Sequence, residues 1–325
     1  MSRRPRPTGL PPAPEPLPGP VVDNHTHLES IAALLSDPAD PKQPTDDAAR
    51  PGIATHLAAA LAVGVDRIVQ IGCDLDSAAA SLDIVDLART NTGRGGSGES
   101  AAVVAGVAIH PNEVVAHHRI VEASPDGLEP ARAPRHETGY ADAFARIAEL
   151  ARDERIRVIS ETGLDHFRAG ERGRAVQREA FRDHIALAKE LGLPMQIHDR
   201  EAHAAVLEVL DADGAPERTV VHSFSGDAAF ARACLERGCH LSFSGTVTFK
   251  NAADLRAAAR IVPADRLLVE TDAPYLTPHP NRGRPNSPVQ LPHTVRLLAE
   301  LRGEDLGDFC ERLAALSEDL YGPFA

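Results

Sequence analysis

The chain has 325 residues, 43% of them hydrophobic and 25% charged, with 34 basic side chains against 47 acidic ones and a net charge of -13. That length supplies a large core, as one barrel or two smaller domains, and the acidic balance excludes a protein that coats long duplex by neutralising phosphates broadly. An enzyme that grips a few nucleotides through metal ions stays compatible with it.

Residues 1–20, MSRRPRPTGLPPAPEPLPGP, carry arginines but no apolar run behind them, so they read as a disordered, proline-rich tail rather than a leader. Residues 21–325 read as a single domain. The first strand, Val21–Asp23, runs into His25 and His27 within VVDNHTHLES. Residues i and i+2 of a strand share a face, so these two imidazoles can aim at one point. The helix segment GIATHLAAALAVG leads to the second strand, Arg67–Ile71, and the glycine-rich NTGRGGSGES precedes the third, Val103–Ile109, which runs into His110. A second irregular stretch, EASPDGLEPARAPRHETG, follows, and both belong on the surface. The helix YADAFARIAELARD precedes the fourth strand, Arg157–Ser160, which ends at Glu161 in VISETGLDHF. AVQREAFRDHIALAKELG leads to Pro194–Ile197 and His198, and the sixth strand, Thr219–Val221, ends at His222. DAAFARACLERG leads to His240–Phe243, and the eighth strand, Arg266–Val269, runs into Asp272 in LLVETDAP. Several helices stop at glycine, the usual residue just past a helix C-terminus. Strand–helix alternation repeated eight times specifies an α/β fold, the (β/α)8 TIM barrel, with a doubly wound open sheet as the alternative.

In such a barrel the C-terminal strand ends converge on one face. His25, His27, His110, Glu161, His198, His222 and Asp272 all lie there. Burying carboxylates side by side is costly unless a cation resolves the charge. Four imidazoles with two carboxylates exceed one tetrahedral site, so two ions are expected, with Glu161 reaching across the barrel as the bridge. Mixed nitrogen and oxygen ligands suit zinc or manganese, and magnesium remains open. The other histidines, among them His56, His117, His118, His136, His184, His203 and His293, sit on helix or loop patterns and are expected to be solvated. Cys73, Cys234, Cys239 and Cys310 are too scattered for a disulfide framework and read as structural thiols. No apolar run approaches the ~20 residues a membrane span needs, so a soluble, cytoplasmic protein is expected.

The motifs DNHTHL, AIHP, SETGLD, IHDREA, HSFSG, ETDAPYL and RGRPNSP, in this order, resemble the TatD family of metal-dependent deoxyribonucleases within the amidohydrolase-type barrels. The resemblance runs from Val21 to the C-terminus. Asn24, Ser160 and Ser223 depart from the common pattern without removing a candidate ligand, and the insertion after His110 bears on substrate access. Many related barrels place a carbamylated lysine where Glu161 stands, but none of Lys42, Lys189 and Lys250 lies at such a strand end. The resemblance implies His25, His27 and Asp272 on one metal, Glu161 bridging, and His198 and His222 on the second. It further implies that His110, Arg282, Arg284 and Asn286 contact substrate phosphate. Asp272 would orient a metal-bound water and accept its proton. The implied activity is hydrolysis of DNA, as a 3′→5′ exonuclease on single strands, with a single-stranded DNA or oligonucleotide as partner; the sequence does not fix the oligomeric state, and a monomer is compatible with it. Phe167, Phe224, Phe249 and Tyr275 are the aromatics near strand ends that could stack on bases, although core packing is the commoner role. The same centre could instead serve an amidase, a deaminase or a lactonase, and a barrel retained only for binding would be expected to have lost a ligand.

Overall fold

Eight strands hydrogen-bond in chain order, each parallel to the next. The computed structural model describes residues 9–35, 46–92 and 100–324. Its first half holds β1 (Val21–Thr26), α1 (Leu28–Leu35), α2 (Asp46–Ala62), β2 (Val65–Gly72), α3 (Leu75–Thr92), β3 (Ala102–Val107), α4 (Pro111–His117) and α5 (Tyr140–Leu150). There follow β4 (Ile156–Asp165), α6 (Glu171–Leu191), β5 (Met195–Arg200), α7 (His203–Asp213), β6 (Thr219–Val221) and α8 (Ala228–Glu236). The chain ends with β7 (His240–Phe243), α9 (Ala253–Ile261), β8 (Leu267–Val269), α10 (Leu291–Arg302) and α11 (Leu306–Tyr321). This is a single-domain α/β TIM barrel.

Strand alternation sorts the side chains into two apolar layers. One set, Val22, Val69, Ile71, Val104, Val158, Val220 and Leu268, packs together with Leu320 and Tyr321 from the end of α11 and fills the lower barrel. The larger set lies between strands and helices, with Val21, Ile68, Val103, Val107, Ile159, Phe181, Phe243 and Phe309 as fully buried members. With the lower lumen packed by branched side chains, the polar residues of each strand are left to the C-terminal end. Closure between the last strand and the first is made by side chains as much as by backbone. Thr271 donates its N–H (2.8 Å) and its hydroxyl (2.6 Å) to the Asp23 carboxylate. Asn24 Nδ2 donates to the Val269 carbonyl (2.8 Å). The Asp272 N–H donates to the His25 carbonyl (2.9 Å) and the His27 N–H to the Ala273 carbonyl (2.8 Å).

Strands β6 and β7 have the limits that their sequence suggests, whereas β1, β4 and β5 run three to five residues further at their C-terminal ends. The extra residues include the polar segments NHT, ETGLD and HDR, which look like loop but continue the ladder because the barrel rim needs them there. The tail expectation is corrected for residues 9–20. Arg284 donates to the carbonyls of Gly9 (3.3 Å) and Leu10 (2.7 Å), Gln290 to Pro12 (3.1 Å), Arg296 to Pro16 (2.9 Å), and Leu17 N–H to Val63 (3.0 Å). A proline-rich strand lacks donors, but its free carbonyls are acceptors for side chains of the barrel. Residues 1–8 and 93–99, within the expected tail and the glycine-rich stretch, lie outside the described residues. In the insertion after α4, Glu122 accepts from the N–H groups of Gly173 (2.6 Å) and Arg172 (3.3 Å) at the start of α6.

Gly163, with φ +139°, lies between Glu161 and Asp165 on β4, and a Cβ there would stand 2.1 Å from the His198 carbonyl oxygen. Neither backbone can move without disturbing a ligand strand. Gly163→Ala is expected to destabilise the fold by about 2 kcal/mol or more, read as a lower urea midpoint at unchanged slope. An unchanged midpoint would refute the close approach.

Candidate metal centre

The strand ends bring their polar side chains around one buried carboxylate, Glu161. Its Oε1 lies 2.5 Å from His198 Nδ1, 2.7 Å from His222 Nε2 and 3.7 Å from His110 Nε2. Its Oε2 lies 3.6 Å from His25 Nε2. The two oxygens therefore face different imidazoles, as a bridging carboxylate requires. Asp272, in a left-handed backbone conformation (φ +52°), points Oδ1 to within 3.6 Å of His27 Nε2. The rings of His25 and His222 stack with centroids 4.0 Å apart.

The outward nitrogens decide what the inward ones can do. His25 Nδ1 sits 2.7 Å from Gln196 Oε1, which also accepts from the Ser160 hydroxyl (2.9 Å). Gln196 Nε2 donates to the Asn24 carbonyl (2.7 Å) and the Tyr321 hydroxyl (2.8 Å), so the amide cannot flip without losing partners. His25 must therefore carry its proton on Nδ1, leaving the Nε2 lone pair inside the site. By the same logic His27 Nδ1 donates to the Ile71 carbonyl (3.1 Å) and His222 Nδ1 to Glu270 Oε1 (3.2 Å). His198 Nε2 faces Asp165 Oδ2 at 3.5 Å. Four imidazoles thus direct lone pairs at carboxylate oxygens. Acceptor facing acceptor is repulsive unless a proton or a metal ion lies between, and the second nitrogen bound to an oxygen is the usual support for a metal-ligating histidine. His25 Nε2 is fully buried without a hydrogen-bond partner. The donor set therefore fits a metal centre.

His110 differs. Its Nδ1 accepts the Asn112 N–H (3.1 Å), so in the neutral ring Nε2 carries the proton. Metal on Nε2 would demand an imidazolate, whereas a hydrogen bond donated into the cavity demands nothing. Burial pushes this histidine down to about 4, which keeps it neutral.

Electrostatics tell the same story for the ligands. Burial works to raise the Glu161 carboxyl, but the charges of His222 and His198 hold it well below the usual carboxylate range. Burial works against charge on His198, yet Glu161 and Asp165 lift it to about 9. His27 is lifted against burial to about 10 by Asp272, Glu29 and Glu161, and His222 well above its ordinary value by Glu161 and Glu270. Without metal, protons gather where divalent cations would otherwise balance the carboxylates.

A cavity of about 1020 Å³ opens above this cluster, at the upper end for small-molecule sites. Its lining includes His27, Cys73, His110, Glu161, His198, His222, Asp272 and Tyr275, and its cations are Arg168 and Arg200. The three loop residues expected to touch phosphate do not line it. Asn286 is fully buried and gives its amide to the carbonyls of Thr271 (3.0 Å) and Tyr275 (2.7 Å). Arg284 holds the N-terminal segment, and Arg282 lies over the Phe249 ring at 4.0 Å. RGRPNSP therefore shapes the wall behind Asp272. Arg200 stacks on Phe167 at 4.2 Å and, among the described residues, has no carboxylate partner, while Arg168 pairs with Asp126 of the insertion (2.9 Å).

Other expectations also change. His56, His117, His136 and His184 are buried rather than solvated. His117 and His136 form a cluster with Glu113, but His136 Nδ1 accepts the Ala133 N–H (2.8 Å) and its Nε2 meets Glu113 (2.7 Å). Arg135 takes the same carboxylate through Nε (2.7 Å) and Nη2 (3.1 Å), so this cluster is already satisfied as an ion pair. Cys73, half-buried against the apolar cluster of the lumen, also lines the cavity. Gln196, Glu270 and Asp165 had no signal of their own in the sequence, although each lies two residues from a singled-out histidine or aspartate, or four from Glu161, on the same strand end.

The family described as TatD related DNase matches residues 22–322 of the chain. The chain is 39% identical over 285 residues to the uncharacterized metal-dependent hydrolase TatD of Mycobacterium tuberculosis, covering 86% of this chain and 90% of that one. It is 41% identical over 171 residues to the 3'-5' ssDNA/RNA exonuclease TatD of Cronobacter sakazakii, covering 50% of this chain and 64% of that relative. The crystal structure of YjjV, a TatD homologue from Escherichia coli, superposes with a TM-score of 0.71 at 22% identity, over 93% of this chain and 98% of that one. That likeness bears on the fold.

Zinc or manganese supplied at a hundredfold excess over its Kd is expected to raise the unfolding free energy by about 2.7 kcal/mol, and Glu161→Gln to abolish most of the gain. Equal unfolding midpoints with chelator and with metal would argue against the centre.

Proposed function

The chain belongs to the TatD-related DNase family of metal-dependent hydrolases, and on that premise we propose that it hydrolyses phosphodiester bonds of single-stranded DNA from the 3′ end. The observation that carries this reading is the set of inward lone pairs on His25, His27, His198 and His222, directed at Glu161 and Asp272. We assign His25, His27 and Asp272 to one divalent ion, His198 and His222 to another, and Glu161 to both. When bound, such ions polarise a phosphoryl oxygen and acidify a water.

The chain's own groups do the rest. Asp272 keeps a carboxylate oxygen available at the cavity surface, where it can orient the attacking water and take its proton. His110 offers a neutral Nε2–H to a phosphoryl oxygen on the other side of Glu161. Arg200 lies over Phe167 at the cavity, with no carboxylate partner among the described residues, which suits a flanking phosphate, a role transferred here from the RGRPNSP arginines. Tyr275, 59% exposed at the cavity lip, is the aromatic placed to stack on a base, whereas Phe224 is fully buried. The activity named for the Cronobacter relative supports the 3′→5′ polarity and the single-stranded substrate, and leaves RNA as a second substrate of the same chemistry.

The test is cleavage of 3′- and 5′-labelled single-stranded DNA with Mg²⁺, Mn²⁺ or Zn²⁺ and with chelator. Metal-dependent shortening from the 3′ end is expected, with Asp272→Asn lowering kcat roughly 10²–10⁴-fold. Arg200→Ala should act mainly on KM, as loss of a contact made equally to substrate and transition state. Intact oligonucleotides from metal-loaded protein, with turnover of carboxyl esters or lactones instead, would refute the nuclease reading.

A further inference from the structure

Glu29 stands two residues beyond His27, in the first turn of α1, and lines the cavity half-buried. Gln70 Nε2 donates to its Oε2 (2.6 Å) and the Ser30 hydroxyl to its Oε1 (3.2 Å), while the Leu28 N–H fixes Gln70 through Oε1 (2.7 Å). Two donated hydrogen bonds favour the charged carboxylate and leave lone pairs over. Arg135 engages the neighbouring Asp74 (3.5 Å) and Asp76 (3.4 Å), but among the described residues no guanidinium or ammonium faces Glu29. The cations of the cavity lie on another sector of its mouth, Arg168 after β4 and Arg200 at the end of β5. Tyr275 shares the Glu29 side, its ring edge-on to that of His27 with centroids 6.4 Å apart. One side of the cavity thus attracts phosphate and the other repels it.

We propose that Glu29 is the specificity-determining residue that reads the end of the strand: it accepts a hydrogen bond from the hydroxyl of the terminal sugar and repels a phosphate in that place. The inference rests on reading the centre as a 3′→5′ phosphodiesterase. An interior nucleotide beside Glu29 would bring a phosphate against a carboxylate that no cation offsets. The last nucleotide brings a hydroxyl instead, a donor to a charged acceptor. Selection therefore combines one attractive contact with one repulsive one. With the terminal base on Tyr275, the rest of the strand leaves toward Arg168 and Arg200, where its phosphates are balanced.

The experiment measures kcat/KM of the metal-loaded full chain on 5′-labelled single-stranded oligonucleotides of one sequence. They end in a 3′-hydroxyl, a 3′-hydrogen or a 3′-phosphate, and wild type is run beside Glu29→Gln and Glu29→Ala. The wild type is expected to favour hydroxyl over hydrogen by about tenfold or more, and over phosphate by about a hundredfold or more. In both variants the penalty on phosphate should fall by about tenfold or more. Each comparison is a ratio within one protein, so partial unfolding of a variant cannot imitate the result. Wild-type values for the three ends within about twofold of one another overturn the proposal and leave the nuclease standing. An undiminished phosphate penalty in the variants does the same. Oligonucleotides of all three kinds left intact, or shortened from the 5′ end, overturn the nuclease reading and the role of Glu29 together.

Discussion

Glu161 is a carboxylate placed where water cannot solvate it, and the barrel mouth is arranged around that fact. Left alone, such a group would take up a proton and become neutral. Instead histidines approach both oxygens, each ligand ring braced from behind by an amide, a carbonyl or a second carboxylate. The bracing sets which nitrogen is bare, and the bare nitrogens all face inward. One electrostatic demand thus dictates the identity of side chains on five strands and, through Gln196 and Glu270, of residues that never reach the cavity.

The polar layer is sustained by the apolar one beneath it. Branched side chains of six strands close the lumen below, and Tyr321 reaches up from α11 to give Gln196 its hydrogen-bond partner. A packed floor keeps water from reaching the ring nitrogens from behind, so their tautomers are held by protein groups. On the rim, Arg135 from the insertion ties Glu113 to Asp74 (3.5 Å) and Asp76 (3.4 Å), offsetting negative charge at the cavity edge.

Much of this is legible in the sequence because barrel strands obey a simple rule: an apolar run, then a chemically active residue. His25, His27, Glu161, His198, His222 and Asp272 all follow it, and they meet. Residues whose role depends on a partner far along the chain are not legible in that way. Gln196 in a strand reads as ordinary polarity until its bond to His25, 171 positions away, is seen. Asn286 and Arg284 illustrate the reverse: groups suited to phosphate whose donors are consumed by backbone carbonyls. Composition cannot reveal that an amide is already satisfied. Nor does periodicity show that ETGLD continues a strand, since polar side chains belong in a strand only at a rim.

The seam between β1 and β8 joins residues 248 positions apart, Asp23 and Thr271, and the same seam carries His25, His27 and Asp272. At ~5–20 residues per second, a ribosome spends roughly 10–50 s between making one side and the other. For all that time β1 is an open edge, its imidazoles facing a half-built lumen with no Asp272 opposite. The ring of polar side chains at the barrel mouth is therefore closed late, when the last strand docks.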